Sequence, residues 1–149
     1  LVGQNLGAER PERARQSVGW ALLYVAVLKL FITALVIAFP AAVVLAFTNN
    51  SDVVSLGATW LRVQIAAALF MGLAMVFQQS FNGAGDTLAP MVVTLLAVWC
   101  IELPVAWALT HTPLGPIGIA YAAIAGMFAR TLFYVPYFFW GRWLRVRLL

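Results

Sequence analysis

The chain has 149 residues, of which 64% are hydrophobic and only 9% charged. Soluble domains are about 45–50% apolar and about 25% charged, so a soluble globular domain is excluded and a membrane protein is indicated. The net charge of +4 does not point to nucleic acid. Arg10, Arg13 and Arg15 precede the first apolar run and Arg142, Arg145 and Arg147 follow the last, the placement that membrane orientation produces. A single cysteine, Cys100, excludes an internal disulfide, and with one histidine, His111, a zinc or haem centre has too few ligands.

Residues 1–16 read as a cytoplasmic loop and solvated lead-in, with Pro11 suited to a first helical turn and Glu12 near its positive end. No initiator Met and no cleavable signal open the chain, so a piece of a longer protein is expected. Residues 17–149 then hold four predicted spans, at about 18–47, 54–81, 91–109 and 117–140. The first is about 45 Å long as a helix, more than a bilayer needs, so it tilts, kinks at Pro40 or starts along the interface. Lys29 lies inside it. Depending on where the span starts, Lys29 is either about 15 Å deep or within reach of the headgroups.

In the second span Arg62 is two turns in and can snorkel outward. Gln64, Met71, Met75, Gln78 and Asn82 follow at spacings of 7, 4, 3 and 4, a stripe about 60° wide at 100° per residue. Amides in lipid are costly, so this face should meet other helices or a water-filled cavity. Two readings stand: interhelical packing, or a substrate wall in which Met adapts to many shapes.

Between the second and third spans lies Gln78-Gln79-Ser80-Phe81-Asn82-Gly83-Ala84-Gly85-Asp86-Thr87-Leu88-Ala89-Pro90. Gly83 and Gly85 stop one helix, Asp86 or Thr87 can accept from the free N–H groups of the next, and Pro90 falls in its first turn. Glu102 lies in the third span and Arg130 in the fourth, both about 15 Å from the same face. Antiparallel neighbours would pair them, with Lys29 as the rival partner for Glu102. Such a pair serves either structure or proton movement. Pro40, Pro104 and Pro136 should interrupt three helices. Gly118, Ala122, Ala125, Gly126 and Ala129 offer a smooth face for close packing, and Phe138-Phe139-Trp140 reads as an interfacial belt.

The turns at residues 48–52 and 110–116 carry no Lys or Arg, so both chain ends and the Gly83–Pro90 loop are expected in the cytoplasm. No P-loop, dinucleotide fingerprint or nucleophile set supports an enzyme.

Leu1-Val2-Gly3-Gln4-Asn5-Leu6-Gly7-Ala8 with Pro11-Glu12-Arg13-Ala14-Arg15 resembles the loop after the eighth helix of multidrug and toxic compound extrusion (MATE) transporters. Asn82-Gly83-Ala84-Gly85-Asp86-Thr87 with Pro90 resembles their turn between helices ten and eleven. Leu103-Pro104-Val105-Ala106-Trp107 and Gly115-Pro116-Ile117-Gly118-Ile119-Ala120 resemble the end of helix eleven and the start of helix twelve. The resemblance implies an all-α polytopic membrane bundle, the last third of a twelve-helix fold. It also implies a cation-coupled antiporter exporting amphipathic, often cationic compounds across the inner membrane by alternating access. Partners so implied are membrane lipids, such substrates and the missing amino-terminal portion, with no nucleic acid. No cofactor is implied; the coupling ion, H⁺ or Na⁺, would bind outside this stretch. No acid lies between Leu61 and Gly83, which departs from NorM-like members and leans toward the DinF-like branch. A lipid-linked sugar flippase of the same superfamily and a small non-transporting four-helix scaffold are the competing readings.

Overall fold

A computed structural model describes residues 1–145. Residues 146–149, with Arg147, and the side chain of Arg145 lie outside the described part. The architecture is all-α. A short helix α1 (Val2–Gly7) precedes α2 (Pro11–Ala38) and α3 (Pro40–Leu45). Next come α4 (Ser51–Gly83), α5 (Leu88–Leu96), a π-helical turn (Ala97–Glu102), α6 (Leu103–Thr110) and α7 (Ile117–Trp140), then a 3₁₀ turn at Arg142–Arg145. Four helical stretches are long and apolar enough to cross a membrane: Pro11–Ala38, Ser51–Gly83, Leu88–Thr110 and Ile117–Trp140.

Local chemistry sets these boundaries. Pro11 occupies the first turn of α2, where its missing N–H costs nothing, and Glu12 meets the positive end of the helix. The arginine-rich lead-in is thus the first part of the first spanning helix rather than a separate segment. Phe39 leaves helical geometry (φ −130°, ψ 50°) before Pro40, so the first apolar run breaks there into α2 and α3. Asn50 caps α4, its Oδ1 accepting from the N–H groups of Asp52 (3.0 Å) and Val53 (3.3 Å). At the far end Gly83 is still helical. The left-handed residue of the turn is Gly85, at φ 84°. Pro136 does not interrupt its helix: α7 runs unbroken through it. Near a helix end, neighbouring helices can satisfy the carbonyl that a proline leaves free.

Helices α2, α4 and α7 pack side by side, and α6 lies along α7. Trp20, Leu23, Tyr24, Val27 and Phe31 of α2 stand exposed, as on a helix whose solvent is hydrocarbon. The core gathers at one end of the bundle, where the start of α2, the end of α4 and the end of α7 meet. Phe77, Phe81, Tyr134, Phe138 and Trp143 form its aromatic centre, with Phe138 and Trp143 stacked at 5.5 Å. Phe138 therefore belongs to the core and not to an interfacial belt; only Phe139 and Trp140 face outward. Trp143 donates its Nε1–H to the Phe138 carbonyl at 3.1 Å, and the Arg15 guanidinium lies 5.5 Å from the Phe138 ring centre. We call this the arginine end.

Candidate functional site

Three polar features stand in the apolar bundle. The first is the ion pair. Pro104 has no N–H to give to the carbonyl four residues before it, and the adjoining turn widens: Leu103 N–H bonds Val98 O, five residues back. The π-helical turn ends on Glu102, whose Oε2 accepts from Arg130 Nη2 at 3.4 Å. Gly126 makes the room, since a Cβ there would sit 2.5 Å from Glu102 Oε2 and 2.9 Å from its Cβ. The contact is single and long, and Arg130 Nε has no partner among the described residues. Arg130 lies ten residues before Trp140, about 15 Å from that helix end. Lys29 is not near this pair; it lies between α2 and α4.

The second feature is a groove of about 630 Å³ between α2 and α4, reaching to α1. Lys29 crosses it: a Cβ on Gly72 would meet Lys29 Cε and Val25 Cγ1, each at 3.1 Å. Met71, Met75, Gln79 and the hydroxyl residues Ser17 and Ser80 complete its polar and polarizable lining. The stripe expected from spacing is thereby divided. Met71 and Met75 line this groove. Gln64 lies in a separate shallow hollow with Val43, Val44, Phe47 and Trp60, and half-buried Gln78 and Asn82 line neither.

The third is the turn after α4. Asp86 Oδ1 accepts from Ala89 N–H at 3.3 Å, and Asp86 Oδ2 accepts from the hydroxyl of Tyr137. One carboxylate thus caps α5 and pins it to α7. Thr87 stands at the N-cap position but makes no side-chain capping bond. Pro90 is buried beside Tyr134, whose hydroxyl reaches its carbonyl at 3.5 Å. Gly3 meets the Gly83 carbonyl so closely that a Cβ would lie 2.7 Å from it. Among the described residues no three His, Cys, Asp or Glu side chains gather as a metal site.

Sequence reasoning assigned none of Gly72, Gln79 and Ser80 to a site. Their signal was present: Gly72, Val76, Gln79 and Gly83 recur at spacings of 4, 3 and 4 and mark the helix face turned to α2.

Four apolar helices, an intramembrane ion pair and a lysine-crossed groove define a polytopic α-helical membrane protein. The MatE family model matches residues 1–108, and the chain belongs to that family. It is 32% identical over 85% of its length to the probable multidrug resistance protein NorM of Halalkalibacterium halodurans. To the protein of the same description in Thermotoga maritima it is 23% identical over 96%, and to the multidrug resistance protein MdtK of Proteus mirabilis 28% over 88%. It spans 28%, 31% and 30% of those three proteins. None of the three carries a DinF name. No solved structure is a significant match.

Proposed function

We propose that the chain is the carboxy-terminal third of a multidrug exporter. Such a protein would be a cation-coupled antiporter that moves amphipathic compounds across the inner membrane by alternating access. The observation that carries this reading is the family membership together with relatives described as multidrug resistance proteins. The groove supports it: methionines beside an amide make an adaptable wall, suited to broad selectivity. H⁺ or Na⁺ would drive the cycle.

The test is resistance of an efflux-deficient host expressing the full-length protein to a panel of dyes and drugs, with dye efflux followed after collapse of the proton gradient. Export of none of the panel at normal membrane levels overturns the reading. Met75→Trp should change which compounds are exported by filling the groove. Equal loss for every substrate would instead assign Met75 to packing.

In this reading both chain ends and the Gly83–Pro90 turn face the cytoplasm, which the arginine placement supports. Single cysteines at Asn50 and Thr87 in a cysteine-free full-length protein should then label from opposite sides. Labelling of both from the periplasm removes the orientation.

A further inference from the structure

The groove between α2 and α4 has one ionised side chain, Lys29, and no Asp or Glu in its lining. The ion pair among the described residues is Arg130 with Glu102, so Lys29 has no counter-charge there. An uncompensated ammonium at membrane depth costs several kcal/mol. Ser17 donates its hydroxyl to Arg13 O at 2.8 Å, and Ser80 donates to Val76 O at 2.6 Å. That leaves the Lys29 amine and the Gln79 amide as the groove's free side-chain donors.

We propose that this groove binds a small amphiphile whose charged group is an anion. A carboxylate or sulfonate would sit on the Lys29 ammonium, with Gln79 as second donor and the apolar body against Met71 and Met75. This names a ligand class for the exporter proposed above and rests on that reading. It also divides the substrates, because a lone ammonium repels the cationic compounds expected from the family resemblance. A phospholipid headgroup fits less well. Lys29 packs on Gly72, eleven residues before the end of α4 at Gly83, hence about 16 Å deep. That is near the middle of an apolar layer about 30 Å thick, whereas phosphates stay at its rim. The volume of about 630 Å³ suits a drug-sized ligand.

The experiment uses the full-length protein in phosphatidylcholine nanodiscs, titrated with dansylaminoundecanoic acid and with the matched neutral alcohol. Wild type should bind the acid about tenfold more tightly, the worth of one charge-assisted contact. Lys29→Arg should keep that preference, and Lys29→Gln should lose it while still binding the alcohol. Equal binding of acid and alcohol by wild type overturns the proposal, since Lys29 is then neutralised by an acid elsewhere in the protein. So does an unchanged preference in Lys29→Gln, and so does displacement of the acid by phosphatidylglycerol, which hands the site to lipid. If Lys29→Gln does not fold, the wild-type preference and its retention in Lys29→Arg decide the matter. The exporter reading is judged separately by the resistance panel: export without acid preference sinks only the groove, and acid binding without export sinks only the exporter.

Discussion

Two glycines in the spanning part of the bundle, Gly126 and Gly72, each lie under a long polar side chain from a neighbouring helix, Glu102 and Lys29, and the surroundings of those side chains differ. Arg130 meets Glu102 across Gly126, in a contact closed by the π-helical turn on one side and α7 on the other. Lys29 crosses Gly72 in an open groove without an acid. Both glycines serve the same steric end, letting a long polar side chain lie between helices. What separates them is the counter-charge. With a carboxylate in place, the glycine brings two opposite charges together; without one, it leaves a basic side chain facing an open groove.

Removing Glu102 should break this contrast most severely. Glu102→Gln leaves Arg130 facing a neutral amide in a partly dry site, at a cost of about 3 kcal/mol. Lys29→Gln removes a charge that has no partner in the described residues and should not destabilise. Thermal unfolding of the full-length protein in detergent compares them directly. The swap Glu102→Arg with Arg130→Glu should recover part of the first loss. Equal losses for Glu102→Gln and Lys29→Gln would mean that Lys29 is paired as firmly as Arg130.

Gly126→Ala should come next. Its new Cβ would lie 2.5 Å from Glu102 Oε2 and 2.9 Å from Glu102 Cβ. The second atom is tied to the backbone of the π-helical turn, so rotating the carboxylate away cannot relieve the clash. Overpacking of this kind costs about 1–3 kcal/mol. Unfolding of Gly126→Ala at the wild-type temperature would show that the π-helical turn yields freely.

Much of this arrangement was legible in the sequence, for reasons that differ by feature. Apolar run length and turn residues place the four helices, and counting residues from the helix ends puts Glu102 and Arg130 at one depth. Asp86 was readable as a helix start. Its second bond, to Tyr137, was not, because 51 residues separate them. The π-helical turn was hidden as well, since Pro104 announces a disturbance without saying which way the helix winds. The groove face of α4 depends on how that helix is rotated. The polar stripe from Gln64 to Asn82 is centred about 100° away from the face turned to α2, counted at 100° per residue. In an apolar helix every face is hydrophobic, so periodicity cannot choose between them. Phe138 was misread for the same reason: beside the exposed Phe139 and Trp140, composition cannot tell a core ring from an interfacial one.

Gly72→Ala should have the smallest effect on stability, and it sharpens the comparison because it is the same substitution at the other glycine. Its Cβ would meet Lys29 Cε and Val25 Cγ1 at 3.1 Å. Unlike Glu102 Cβ, Lys29 Cε is the far part of a flexible stem, and Val25 Cγ1 can give by a few tenths of an ångström. The stability change should therefore stay below about 0.5 kcal/mol, within the range of substitutions that leave packing intact. The displaced lysine stem has to go somewhere, and the groove is the open space beside it. Gly72→Ala should thus weaken the dansylaminoundecanoic acid and its neutral alcohol alike, by narrowing their shared apolar channel, while leaving the unfolding temperature nearly unchanged. A loss of stability as large as that of Gly126→Ala would show that the two glycines are equally tightly packed. The contrast between a sealed contact and an open groove would then be gone.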